Sequence, residues 1–166
     1  LTGRLVEANS GSALGTGTVQ VDSGATLELA ATTADVYQRQ VTFTGTGTIQ
    51  KTGSRLFALG GPADRVTVSL AQGALIDVVQ GTLQGSSNYG GVWTDNRARL
   101  NIAAGATFNG FEGTIVVDAL TGAGTYTGGY LFGGDVGSTT IGIAGGSGTF
   151  DGVLADNGTG RLVLTK

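Results

Sequence analysis

The chain has no cysteine, no histidine and no methionine, and only one proline and one tryptophan among 166 residues. Without cysteine there is no disulfide framework and no thiolate metal site. Without histidine the commonest general base and the commonest metal ligand are missing. Charge is scarce as well: Asp, Glu, Lys and Arg make up 13% of the chain, with a net charge of -3. Binding a phosphate backbone needs clustered lysine and arginine, so nucleic acid is not an expected partner. Neither a signal peptide nor a membrane span is read in these residues. A single proline and no long polar tract leave no room for an internal linker, so residues 1–166 are expected to form one domain. Opening at Leu1 and stopping inside a strand-like pattern, Arg161 to Lys166, the chain is expected to be a piece of a longer protein.

What the chain has in excess is glycine, 32 residues, far above the usual share of about 7%. Glycine-rich disorder is set aside because β-branched and aliphatic residues are frequent and regularly placed. A short pattern recurs five times: Gly17-Thr18-Val19-Gln20, Gly47-Thr48-Ile49-Gln50, Gly81-Thr82-Leu83-Gln84, Gly113-Thr114-Ile115-Val116 and Gly148-Thr149-Phe150-Asp151. Its steps are 30, 34, 32 and 35 residues. A shift of 32 also lays Val66–Ile76 over Ala98–Phe108. Within these segments apolar and polar residues alternate, as in strands with one buried face, and no stretch shows a helical period.

A repeat of this length points to a stacked, quasi-linear fold. The expected architecture is a right-handed parallel β-helix of five to six coils. Coils would lie roughly 4.8 Å apart, which favours neutral columns and explains the low charge. The columns expected from the motif are the threonines 18, 48, 82, 114 and 149, the glutamines 20, 50 and 84, and an inner stack of Val19, Ile49, Leu83, Ile115 and Phe150. An antiparallel sandwich stays open as the alternative.

Several segments carry a family resemblance: Ala119–Tyr126, Gly148–Leu154, Asp156–Gly160 and Leu162–Lys166, with Ile49–Leu56 holding a lysine-threonine-glycine turn. Together they resemble the autotransporter-associated β-strand repeat, a glycine-rich module of bacterial secreted and surface proteins. The resemblance implies a right-handed parallel β-helix outside the cytoplasm, secreted or at the cell surface. β-Helices similar in architecture also serve as non-catalytic carbohydrate-binding modules attached to plant-cell-wall hydrolases such as xylanases.

One stretch departs from that pattern, Tyr89-Gly90-Gly91-Val92-Trp93-Thr94-Asp95-Asn96-Arg97-Ala98-Arg99. In the 32-residue register it lies beside Asp64 and Arg65 on one side and Tyr130 and Asp135 on the other. The candidate site is therefore Trp93, Tyr89, Asp95, Asn96, Arg97, Asp64, Arg65, Tyr130 and Asp135. Aromatic faces suit sugar C–H groups, and Asp, Asn and Arg suit hydroxyls. Trp93 is expected to be at least partly exposed on that strip, the competing reading being a core cap. The acids are too scattered for the paired carboxylates of a glycosidase, so no enzyme and no cofactor are expected. Asp64 beside Asp95 leaves calcium as a low-ranked option. The function expected is non-catalytic binding of an extended plant polysaccharide such as xylan, with the chain tethered to a catalytic or surface domain. The competing class is a passive stalk segment.

Overall fold

The computed structural model describes residues 3–61, 63–88, 90–130 and 135–166, and all their regular structure is β-strand. The strands wind into a solenoid with three faces, paired in parallel throughout. Face one stacks β1 (Arg4–Ala8), β3 (Thr26–Ala30), β6 (Thr48–Thr52), β9 (Leu75–Val78), β12 (Arg99–Ile102) and β15 (Leu120–Gly122). Face two stacks β4 (Val36–Gln38), β7 (Leu56–Leu59), β10 (Thr82–Gln84), β13 (Thr107–Asn109), β16 (Thr125–Gly128) and β18 (Val153–Asp156). Face three begins with β2 (Thr18–Val21), β5 (Thr42–Gly45), β8 (Val66–Leu70) and β11 (Gly91–Val92). After an interruption, β14 (Thr114–Val117), β17 (Val136–Ile141) and β19 (Arg161–Thr165) take the same place in the circuit. Six strands on a face give about six coils, so the expected β-helix is the fold.

The repeat length differs from the one the motif suggests. On face one, Arg4 lies beside Thr26, Thr26 beside Thr48, Thr48 beside Leu75 and Leu75 beside Arg99, steps of 22, 22, 27 and 24 residues. On face three the steps are 24 and 25, from Thr18 to Thr42 to Thr67. The five Gly-Thr copies therefore do not stack on one another. Thr48 opens a strand on face one, Thr82 one on face two, Thr18 and Thr114 open strands in the separate early and late ladders of face three, and Thr149 lies outside the strands. Gly-Thr marks the first residue after a corner, whichever face follows.

The 32-residue alignment has a related cause. It superposes β8 and β9 on β12 and β13, which is one coil plus one side. The two segments look alike because they share a corner. Gly24, Gly73 and Gly105 adopt φ of +80°, +96° and +80°, the left-handed region that costs glycine little. The next residue, Ala25, Ala74 or Ala106, turns inward and its N–H donates to the carbonyl of Asp22, Ala71 or Ala103. The same corner serves two of the three edges, so sequence similarity follows corners and not coils.

Inside, apolar side chains stack in columns. Phe57, Leu83, Phe108 and Tyr126 follow one another up face two and all are buried. Burying each such side chain contributes about 1.5–3 kcal/mol before chain entropy is counted. The proposed inner residues Val19, Ile49, Leu83 and Ile115 do point inward, but from different faces. Phe43, Phe57 and Phe108 are core residues, whereas Phe111 and Phe150 are only half-buried. Outside, polar side chains form ladders in place of like-charge columns. Gln50 and Asn101 both donate to Asp77, at 3.1 and 2.8 Å, and Thr121 donates to Asn101 at 3.1 Å. The expected glutamine column is absent because Gln20, Gln50 and Gln84 neighbour Thr44, Asp77 and Asn109.

Candidate functional site

Trp93 follows the two-residue strand β11, and it is 1% exposed. Its indole packs edge-on against Phe108 with ring centroids 5.8 Å apart. Its Nε1–H donates to the Gly85 carbonyl at 2.7 Å. Gly85 makes the space: a Cβ there would come within 2.8 Å of Phe108 and 3.3 Å of the indole. The expectation of an exposed ring is therefore corrected. The interior at this level is wide enough for an indole because Gly85 contributes no side chain and β11 is cut short.

Asn96 is also internal, fully buried. Its Oδ1 accepts from Leu70 N–H at 3.3 Å in the coil before, and its Nδ2 donates to the Val116 carbonyl at 2.8 Å in the coil after. Trp93 to Arg97 bulge out of the face-three ladder and leave those backbone groups without strand partners. The amide of Asn96 bridges the gap, meeting the demand that buried backbone groups be satisfied. Trp93 and Asn96 are thus repairs to the solenoid, one of packing and one of hydrogen bonding.

The remaining candidates fall into two places. Asp95 and Arg97 are exposed where face three ends, with Arg97 N–H donating to the Leu70 carbonyl at 2.8 Å. Arg65, half-buried Asp64, Tyr130 and Asp135 lie at the opposite end, where face three begins. The 32-residue register put Asp95 beside Asp64. In the solenoid Val66 pairs with Gly91, so Arg65 meets Gly90, and Asp95 lies a strand length away. The juxtaposition that suggested calcium is not formed. Among the described residues no group of three acids is arranged to hold a metal. Asp64 pairs instead with Arg39, at 3.9 Å. Tyr130 packs edge-on to Phe111, ring centroids 5.2 Å apart, and its N–H donates to the Asp135 carbonyl at 3.4 Å. Tyr89 lies outside the described residues.

A shallow groove of about 490 Å³ crosses the start of face three, lined by Arg65, Gly91, Val92, Trp93, Thr94, Glu112, Gly113, Thr114 and Val136. It spans coils, running from Arg65 before β8 to Val136 at the head of β17. One guanidinium, one carboxylate and two threonine hydroxyls border apolar Val92 and Val136, a make-up suited to binding. Of the sequence candidates, Arg65 and Trp93 line this groove; Thr94, Glu112, Thr114 and Val136 were not singled out. Glu112 and Thr114 were legible only as a scattered acid and a repeat threonine, because their place in one groove with Arg65 depends on the true coil length.

Two buried ionisable residues, Lys51 and Glu7, are not among the sequence candidates for the site. Lys51 is fully buried on face one, and its ammonium donates to the carbonyls of Thr52, Gly53 and Gln80 at 2.8, 2.7 and 3.0 Å. Burial pushes its pKa down to about 8. Glu7 is 2% exposed on β1, and burial pushes its carboxyl up to about 7. Burial likewise raises the Tyr126 phenol, which hydrogen-bonds Thr139. Comparison of the chain with protein-family models, with curated proteins and with solved structures finds no match.

Proposed function

We propose that the chain is a non-catalytic rod segment of an extracellular β-solenoid, a rigid spacer and not a reaction centre. The observation that carries this reading is the fate of the one stretch that breaks the repeat. Trp93 and Asn96 turn inward and join one coil to the next. The irregularity thereby serves the continuity of the rod. Stacked core columns and outward hydrogen-bonded ladders supply axial stiffness, as nearest-neighbour coupling does in other repeat folds. The resemblance to autotransporter repeats fits the same role and the same extracellular setting.

A second reading has its own support in the groove beside Arg65 and Glu112. There an extended plant glycan such as xylan would lie across successive coils, bound by hydroxyl contacts without any exposed tryptophan. Affinity electrophoresis against a panel of soluble polysaccharides separates the two. Migration unchanged by every polysaccharide is expected for a rod segment. Retardation that disappears in Arg65→Ala, with the fold intact by circular dichroism, would replace the spacer by a glycan-binding module. Release of reducing sugar or unsaturated product would overturn both.

A further inference from the structure

The first coil is irregular where face two should begin. Residues 9–17 occupy that place without forming a strand. They lie against β4, where Arg39 N–H donates to the Gly11 carbonyl at 2.8 Å, and Leu14 packs on the core. This segment plugs the interior of the first described coil beside β4.

What ties the plug down is a carboxyl group. Glu7 Oε1 accepts from Ala13 N–H at 3.2 Å, and Leu14 N–H adds a second backbone contact to the same side chain. The other oxygen, Oε2, is buried without a hydrogen-bond partner, and so is Oε1 of Gln38 on β4. Each buried acceptor left without a donor is costly. A proton on Glu7 supplies a donor and removes the buried charge, and among the described residues no cation forms an ion pair with it. The plug segment, Asn9 to Gly17, contains no ionisable side chain. On β3 the inward neighbour of Glu7 is Leu29, while Glu28 pairs with Arg4. Beyond Leu29 the same column holds Lys51, two coils or roughly 10 Å away, with its ammonium committed to three carbonyls. From β4 comes only Gln38, and Arg39 at its end pairs with Asp64.

We propose that Glu7 is a pH-sensitive latch: its neutral carboxyl holds residues 9–17 against β4, and its ionisation releases them. The sign follows from linkage. In the open state the carboxyl regains its ordinary acidity, so the latch is at full strength below the usual carboxylate range and weakens as pH rises towards about 7. The opening constant rises by up to about tenfold per pH unit within that window and levels off above it. Release bares the edge of β4, and an unpaired strand edge is where another β-segment can add.

Hydrogen exchange of peptides covering residues 9–17, corrected for intrinsic rates, tests the latch between pH 5 and pH 8. Protection should fall by at least about tenfold in the wild type over that range, and should not change with pH in Glu7→Gln, which is neutral throughout. An equal fall in both proteins, or no fall in the wild type, overturns the proposal. Should Glu7→Gln fail to fold, titration of the Glu7 carboxyl by carbon NMR in the wild type decides. A midpoint near neutrality supports the latch, and a midpoint in the ordinary carboxylate range overturns it.

Discussion

Replacing Trp93 by alanine is the perturbation that separates an internal support from a ligand platform. The side chain is 1% exposed, packs on Phe108, and donates to the Gly85 carbonyl. Truncating a buried tryptophan costs roughly 3–5 kcal/mol through lost transfer energy and the cavity left behind. The upper half of that range is expected, because Gly85 has no side chain to collapse into the space and its buried carbonyl loses a donor. Trp93→Phe keeps part of the packing but loses the indole N–H, so it should cost less, about 1–3 kcal/mol. Urea unfolding followed by far-ultraviolet circular dichroism reads both values, provided the slope with denaturant is unchanged. Because it is the only tryptophan, wild-type emission should also be blue-shifted and shielded from acrylamide. A loss below about 1 kcal/mol in Trp93→Ala, with emission typical of a hydrated indole, would refute the reasoning.

Three further outcomes follow from the same geometry. Asn96→Leu removes the bridge between Leu70 N–H and the Val116 carbonyl and should destabilise by roughly 2–6 kcal/mol in denaturant unfolding, about one to three per stranded backbone group. Lys51→Met strands three carbonyl acceptors and should destabilise at neutral pH. Because the lysine pKa is lowered in the fold to about 8 from 10.5, the wild type should gain stability relative to this variant as pH rises from 8 to 10.5, measured as the midpoint of urea unfolding at each pH. Arg97→Ala, at an exposed position away from the groove, should leave stability within about 0.5 kcal/mol and leave polysaccharide migration unchanged.

The class of fold was legible because it depends on local chemistry. Alternating apolar positions such as Val66, Val68 and Leu70, with glycine at the corners, demand short strands and sharp bends whatever the coil length. The period was not legible. A corner such as Asp22–Ala25 has the same sequence needs at two edges of the solenoid, so Val66–Ile76 matches Ala98–Phe108 more closely than it matches its own stacking partner. The error carried through to the site, since a step of 32 instead of about 24 moved Asp95 from the end of face three to its beginning. Trp93 and Asn96 stood out correctly as breaks in the pattern. Their direction was hidden, because it depends on the space left by Gly85 and on backbone groups of coils before and after. Glu7 and Lys51 gave no signal of burial, as each occupies an inward position that only the true register reveals.

The central claim is that coils stack at steps near 24 residues and not 32, and the absence of native cysteine gives it a direct test. Thr42 and Thr67 are neighbours on adjacent strands of face three, within the Cα separation of about 4.4–6.8 Å that a disulfide spans. Thr48 and Thr82 are related by the longer step and lie on different faces. In the double variant Thr42→Cys with Thr67→Cys, mild oxidation should close an intramolecular disulfide nearly completely, and in Thr48→Cys with Thr82→Cys it should close none. Closure of the second pair with failure of the first would contradict the account.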